Sequence, residues 1–194
     1  MNDVSILPRA AAARRRDAQA TRAAILEAAK VQFARAGYDG ATLREIAGAA
    51  GVDVALVGRY FGGKEGLFTE ALKTSIHPKF LSLDRASFAR EVAETMAGDP
   101  HEDEARTMAF QFLLRAATSP VTAPLLNVAV QARFLGPIRD YLGGADPLPR
   151  ARVLAATIIG LLVERLIRDE PLTGREREVY VTRVTAAIEA VLAE

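Results

Sequence analysis

Cysteine is absent from the 194 residues, which excludes disulfides, thiolate metal sites and cysteine nucleophiles. Histidine occurs only twice, at His77 and His101, and neither belongs to a catalytic or metal-binding spacing. Glycine patterns that cradle a phosphate or a dinucleotide are missing too. No catalytic residue, metal or cofactor is therefore expected, and an enzyme is disfavoured. Long apolar runs are also lacking. The longest, Val153 to Val163, has 11 residues even with Thr157 and Gly160 counted, against about 20 for a membrane-spanning helix. The opening MNDVSILPRAAAARRR sets its arginines after a very short apolar patch, the reverse of a secretory signal. A cytoplasmic protein is expected.

What the chain does hold is core material and an uneven charge. Half of its residues are hydrophobic and the net charge is +1. Residues 1–80 carry twelve Lys and Arg against eight Asp and Glu, while residues 81–194 carry thirteen against sixteen. A basic front and an acidic back point to an anionic partner for the front, although ordinary surface charge would look the same.

Sustained alternation is absent, and Ala, Leu, Arg and Glu dominate, so an all-α fold is expected. The first helix is predicted from about Thr21 to Ala36, with Ile25, Ala29 and Phe33 on one face and Gly37 as its stop. Thr42 to Glu45 has the form of a capping box opening a short helix that ends near Ala50. A third helix begins at Asp53, a strong N-cap, and stops before Gly62-Gly63. A fourth runs from Lys64 to about Ile76 and ends at His77-Pro78. Five longer helices follow, punctuated by glycine and proline. The Ala- and Arg-rich N-terminal segment reads as a loose arm.

Around Gly51 the residues fit a helix-turn-helix. Ala47 is small enough for the first helix to pass beneath the second, Gly51 suits a left-handed turn, and Val57 packs the second helix back. Ile46, Ala50 and Val52 fill the space between. Many helical hairpins share that spacing. The stretch that follows is more specific: RYFGGKEGLF places a basic and aromatic tail, a glycine hinge and another positive charge after an apolar helix.

Thr42 to Ala47, Gly51-Val52, Tyr60-Phe61 and Lys64-Glu65 with Leu67-Phe68 together resemble the DNA-binding domain of the TetR family of bacterial transcriptional regulators, over about residues 20–76. The resemblance implies a flexible basic arm (1–19), a three-helix DNA-binding domain with its connecting helix (20–76, the latter 64–76) and a larger helical ligand-binding and dimerisation domain (77–194), about nine helices in all. It implies a homodimeric, ligand-responsive repressor of a palindromic double-stranded DNA operator, released by a largely apolar small molecule. The alternative is an architectural or protein-interaction module that binds DNA without an effector.

For DNA contacts the resemblance implies Thr42, Arg44, Asp53, Val54, Ala55, Leu56, Arg59, Tyr60 and Lys64. Val54, Ala55 and Leu56 would open the recognition helix, where small apolar groups can touch thymine methyls. Arg59 and Tyr60 would reach groove edges or phosphates, and Lys64 a phosphate. Arg44 fits a contact or a solvated surface equally. Phe61, Leu67 and Phe68 read as core. Arg14, Arg15, Arg16 and Arg22 are candidates for an arm tracking the minor groove or backbone. One position departs from the pattern: where the family often has a backbone-contacting aromatic, this chain has Gly58.

Farther along, Phe110, Gln111, Arg115, Asn127, Gln131 and Phe134 are candidates for a ligand chamber within about 80–142. Phe88, Met96, Met108, Phe112 and Leu113 would add apolar walls. Core packing would use the same bulky residues, and Asn127 and Gln131 would equally face water. Leu154, Ile158 and Leu161 on one helix, with Val181, Val184, Ile188 and Val191 on the next, form a seam suited to a dimer interface. An intramolecular core face satisfies the same pattern.

Overall fold

The computed structural model describes residues 7–76 and 84–193, with side chains from residue 16 onward. Helices alone occur among the described residues. They are α1 (Leu7–Gly40), α2 (Leu43–Ala49), α3 (Val54–Phe61), α4 (Lys64–Ser75), α5 (Phe88–Ala97) and α6 (Glu104–Thr118). A composite α7 follows (Ala123–Val130, π-helical Gln131–Leu135, Gly136–Leu142), then α8 (Pro147–Arg168) and α9 (Gly174–Leu192). That makes nine, as expected. The π turn in α7 has a local cause. Pro137 brings no amide hydrogen to the ladder, the Gly136 amide donates to the Gln131 carbonyl, and a Cβ at Gly136 would lie 3.1 Å from that oxygen.

α1 begins at Leu7 rather than Thr21, so the stretch expected to be a loose arm is helical from residue 7. Between Arg9 and Ala36 the chain has neither glycine nor proline, and alanine and arginine carry little helical penalty. Nothing stops the helix once it has nucleated. The stop is at Gly37, whose φ of 71° breaks the helical run. His77, Pro78 and Phe80 lie outside the described residues.

Two compact units form. The first holds the chain up to Ser75 and also Gln111–Leu126; the second holds Ile76–Phe110 and Asn127–Glu194. In the first, Ile25, Ala29 and Phe33 of α1 are fully buried, as are Val57 of α3 and Leu67 of α4. Phe68 sits at its centre, edge-on to Phe33 (4.9 Å), Tyr38 (4.9 Å) and Phe112 (5.2 Å). Such pairs contribute about 0.5–1.5 kcal/mol each beyond the area they bury. Phe112, a candidate chamber wall by sequence, is thus part of the aromatic core.

The second unit packs α5 against α8 and α9. Phe88, Val92, Met96, Ile138, Leu154, Ile158, Val184 and Ile188 form one buried cluster. Phe88 and Met96 are therefore core residues and not chamber walls. The Leu172 amide donates to the Ala97 carbonyl at 2.9 Å, pinning the turn between α8 and α9 to the end of α5.

Candidate nucleic-acid interface

The turn joining α2 and α3 is built by caps at both ends. Thr42 opens α2 with a complete capping box. Its amide and hydroxyl donate to Glu45 Oε2 at 3.0 and 2.7 Å, and the Glu45 amide donates to Thr42 Oγ1 at 3.2 Å. Hydrogen bonds from the Thr42 hydroxyl, then from its amide, hold the Glu45 carboxyl below the ordinary carboxylate value. α2 ends in a Schellman motif: the Gly51 amide donates to Gly48 O (3.1 Å) and the Val52 amide to Ala47 O (3.0 Å), with Gly51 at φ 67°. Asp53 then caps α3, its Oδ1 accepting from the Ala55 amide at 2.7 Å. With Ala47 and Val57 both buried, the helix-turn-helix read from the sequence is present.

α3 is sharply two-faced. Val57 is fully buried, and Leu56, Tyr60 and Phe61 are half-buried. Val54, Ala55, Gly58 and Arg59 are exposed, and their spacing places them along one outward stripe. The stripe is low in relief, formed by Val, Ala and Gly with one guanidinium at its end. A Cβ at Gly58 would meet nothing, so no contact within the chain demands glycine there. Asp53, Thr42 and Arg44 are exposed beside it.

The glycine hinge after α3 has a defined geometry. Gly62 caps the helix at φ 74° and Gly63 follows at φ 120°, both in the region that strains a side chain. Lys64 opens α4 with its Nζ 4.7 Å from the Tyr38 ring centroid and donating to the Asp39 carbonyl at 3.4 Å. The cation is thus held in place within the first unit. Arg22, grouped by sequence with a mobile arm, is also anchored. Its guanidinium lies 4.9 Å from the Phe61 ring centroid and pairs with Glu70 at 2.8 Å. Arg16 is exposed, and the Arg14 and Arg15 side chains lie outside the described residues. Sequence reasoning missed Tyr38 and Glu70 because both partnerships span long separations. Tyr38 directly follows the helix-stopping Gly37, the one signal that it belongs to the turn region.

Comparison with known proteins matches this geometry. Residues 25–71 match the family described as bacterial regulatory proteins, tetR family, and residues 86–192 match the one described as tetracyclin repressor-like, C-terminal domain. The chain belongs to the TetR family. The HTH-type transcriptional regulatory protein RaaS of Mycobacterium tuberculosis is 34% identical over 152 residues, covering 70% of this chain and 66% of that protein. In fold, the regulator is similar to a Rhodococcus sp. protein assigned to the TetR-family transcriptional regulators (TM-score 0.69, 21% identity, 90% of this chain, all of that one). It is also similar to NalD, the secondary repressor of the MexAB-OprM multidrug efflux pump in Pseudomonas aeruginosa (TM-score 0.60, 22% identity, 90% and 97%). Members of the family are DNA-binding transcription factors and not enzymes, generally ligand-responsive. No helix among the described residues is long and apolar enough to cross a membrane.

The TetR-family body distributes the remaining candidates differently from the sequence reading. Gln111, Arg115, Asn127 and Gln131 are all exposed, and Gln131 Nε2 donates to Asn127 Oδ1 at 3.5 Å. They do not line an enclosed chamber. The helical phase of α6 explains the first two: Phe112 and Ala116 turn inward, which turns Gln111 and Arg115 out. Phe134 is half-buried against the core of the second unit. Phe110, also half-buried, lines a cavity beside Arg165 with about 20 Å³ of free volume, room for one water-sized occupant.

The dimer candidates are corrected as well. Leu154, Ile158, Val181, Val184 and Ile188 are buried in the second unit's own core, with Leu161 and Val191 packed against it. The seam is intramolecular because α5 and the α8–α9 pair close on one another. Among the large apolar residues that α8 and α9 leave exposed are Val153 (53%), Ile159 (41%) and Val179 (50%), with Leu148 and Ile167 nearer the ends of α8.

Proposed function

We propose that this TetR-family regulator is a homodimeric repressor that binds an inverted-repeat operator and is released by a small molecule. The outward stripe of α3 carries the reading. Val54, Ala55, Gly58 and Arg59 are exposed together on a helix whose opposite face is locked by Val57 and whose entry is locked by Asp53. Such a stripe suits the major groove: Val54 and Ala55, with Leu56 at the edge, meet thymine methyls, while Arg59 reads a base edge or holds a phosphate. Lys64, Tyr60, Thr42 and Arg44 then anchor the flanking phosphates. The N-terminal turns of α1 supply basic residues at the DNA edge, with 20–76 as the reading head and 77–194 as the sensing and pairing body. With chromosomal DNA as its partner, the protein works in the cytoplasm.

Pairing in this reading uses the outward faces of α8 and α9. Val153, Ala156, Ile159 and Gly160 lie on one face of α8 and are exposed, and an inverted repeat needs a two-fold axis between its readers. Repression is favoured over activation because NalD, a fold neighbour, is named a repressor. An effector weakens DNA binding only by as much as it prefers the non-binding conformer.

Footprinting on the DNA flanking the gene, repeated with candidate small molecules, tests the reading. Protection of an inverted repeat that an effector abolishes is the expected result. Binding without preference for any inverted repeat over scrambled competitor, or a protein monomeric at working concentration, would overturn it.

A further inference from the structure

In the second unit, the first turns of α6 and the last turns of α8 enclose the small cavity lined by Phe110, Leu162 and Leu166, with Thr107 and Arg106 at its edge. Arg165 also lines it, and only 6% of that residue is exposed. One terminal nitrogen, Nη2, donates to the Asp99 carbonyl. Nε has no acceptor among the described residues, and no carboxylate forms an ion pair with Arg165 there.

A guanidinium cannot shed its charge, and burying it unpaired is costly. Its neighbours do not supply the missing anion. Arg106 already pairs with Asp103 at 3.3 Å, Arg168 with Glu164 at 3.1 Å, and Asp99 Oδ1 accepts from the His101 amide at 2.8 Å. Burial, then the Arg106 and Arg168 charges, disfavour the guanidinium; Glu102 and Asp99 offset this only in part. The cavity wall is therefore positively charged and one acceptor short.

We infer that the Arg165 cavity is an anion site that takes the carboxylate group of an organic ligand. A carboxylate oxygen would accept the free Nε–H in a charge-assisted bond. The free volume of about 20 Å³ leaves room against the guanidinium for little more than one small polar group. The aromatic and aliphatic walls favour an organic anion over a hydrated one. This inference rests on the reading of the second unit as the sensing body, and it names the chemistry that unit would recognise.

The test uses the full-length protein, ¹⁵N-labelled, without DNA. Sodium acetate and sodium butyrate are titrated at ionic strength held with sodium chloride, with acetamide and butyramide as neutral isosteres. The Arg165 Nε–Hε resonance, assigned by its loss in Arg165→Lys, should shift saturably with the carboxylates and not with the amides. Arg165→Lys should weaken acetate binding about tenfold or more. Butyrate binding tighter than acetate would show the walls taking a hydrocarbon tail, and equal binding a bare carboxylate; either supports the site.

No shift with either acid, an equal shift with the amides, or saturation by chloride alone would overturn the inference and leave a buried water or a halide as the occupant. Should Arg165→Lys fail to fold, Thr107→Glu places a carboxylate on the cavity wall and should remove the acetate response. A wild-type response in that variant would also overturn the site. Because the readout needs no DNA, a missing carboxylate response overturns this site alone. Failure of operator footprinting overturns the regulator reading alone.

Discussion

Gly66 on α4 lies so close to the end of α3 that a Cβ built on it would stand 1.9 Å from the carbonyl oxygen of Phe61. That contact sets the recognition helix against the connecting helix, and only a missing side chain permits it. Gly66→Ala forces backbone to move. Overpacking costs about 1–3 kcal/mol, and a collision with backbone belongs at the upper end. Denaturant unfolding should show this loss, and operator binding should weaken with it because the angle of α3 changes. Unchanged stability would mean that the two helices separate freely.

Gly58 should behave in the opposite way. It lies in mid-helix, exposed, with nothing near its absent Cβ. Gly58→Ala should stabilise the protein by about 0.5–1 kcal/mol through helix propensity alone. If glycine is there for close approach to DNA, the same variant should bind operator more weakly despite its higher melting temperature. Opposed signs in the two measurements are the diagnostic result.

Lys64 connects structure and binding through Tyr38. Its ammonium is held 4.7 Å from the ring centroid, so Lys64→Ala should lower stability by about 0.5–1 kcal/mol. It should also weaken binding to all DNA sequences alike and reduce the salt slope of binding by about 1. Arg59→Ala should differ: a loss confined to particular operator positions would assign Arg59 to base readout. Measuring affinity for matched and mismatched operators at several salt concentrations separates the two roles.

Tyr180 on α9 donates its hydroxyl hydrogen to Glu164 of α8 at 3.2 Å. Burial first, and then that carboxylate, push its phenol from 10.0 up to about 12. The folded protein therefore keeps a proton that the unfolded chain releases. The stabilising contribution of the neutral phenol is complete below pH 10 and is lost as pH rises towards 12. An alkaline titration followed by phenolate absorbance should show a late-titrating tyrosine that disappears in Tyr180→Phe. The variant's stability should also fall less steeply over the same interval.

Much of the reading head was legible in the residues. Caps and turns depend on neighbours within a few positions, so Thr42 with Glu45, Gly51, Asp53 and Gly62 announce themselves in order. The contacts of Gly66, Arg22 and Lys64 do not, because Phe61, Glu70 and Tyr38 meet them only after the helices have packed. The early start of α1 escapes the sequence for a different reason: beyond Pro8, the Ala- and Arg-rich stretch to Ala20 carries no stop signal, and none is needed.

In the body, periodicity marked which side of α8 and α9 is apolar but not what covers it. A three-and-four spacing satisfies a neighbour in the same chain as well as one in a second copy, since the hydrophobic effect is blind to chain identity. Local chemistry along the sequence was therefore enough to specify an all-helical TetR-family protein with a helix-turn-helix at Leu43–Phe61. Tertiary packing alone decided that Leu154 and Ile188 are core, that Gln111 and Arg115 face water, and that Arg165 is buried beside a cavity with no carboxylate paired to it among the described residues. Each of those depends on distances between segments far apart in the chain.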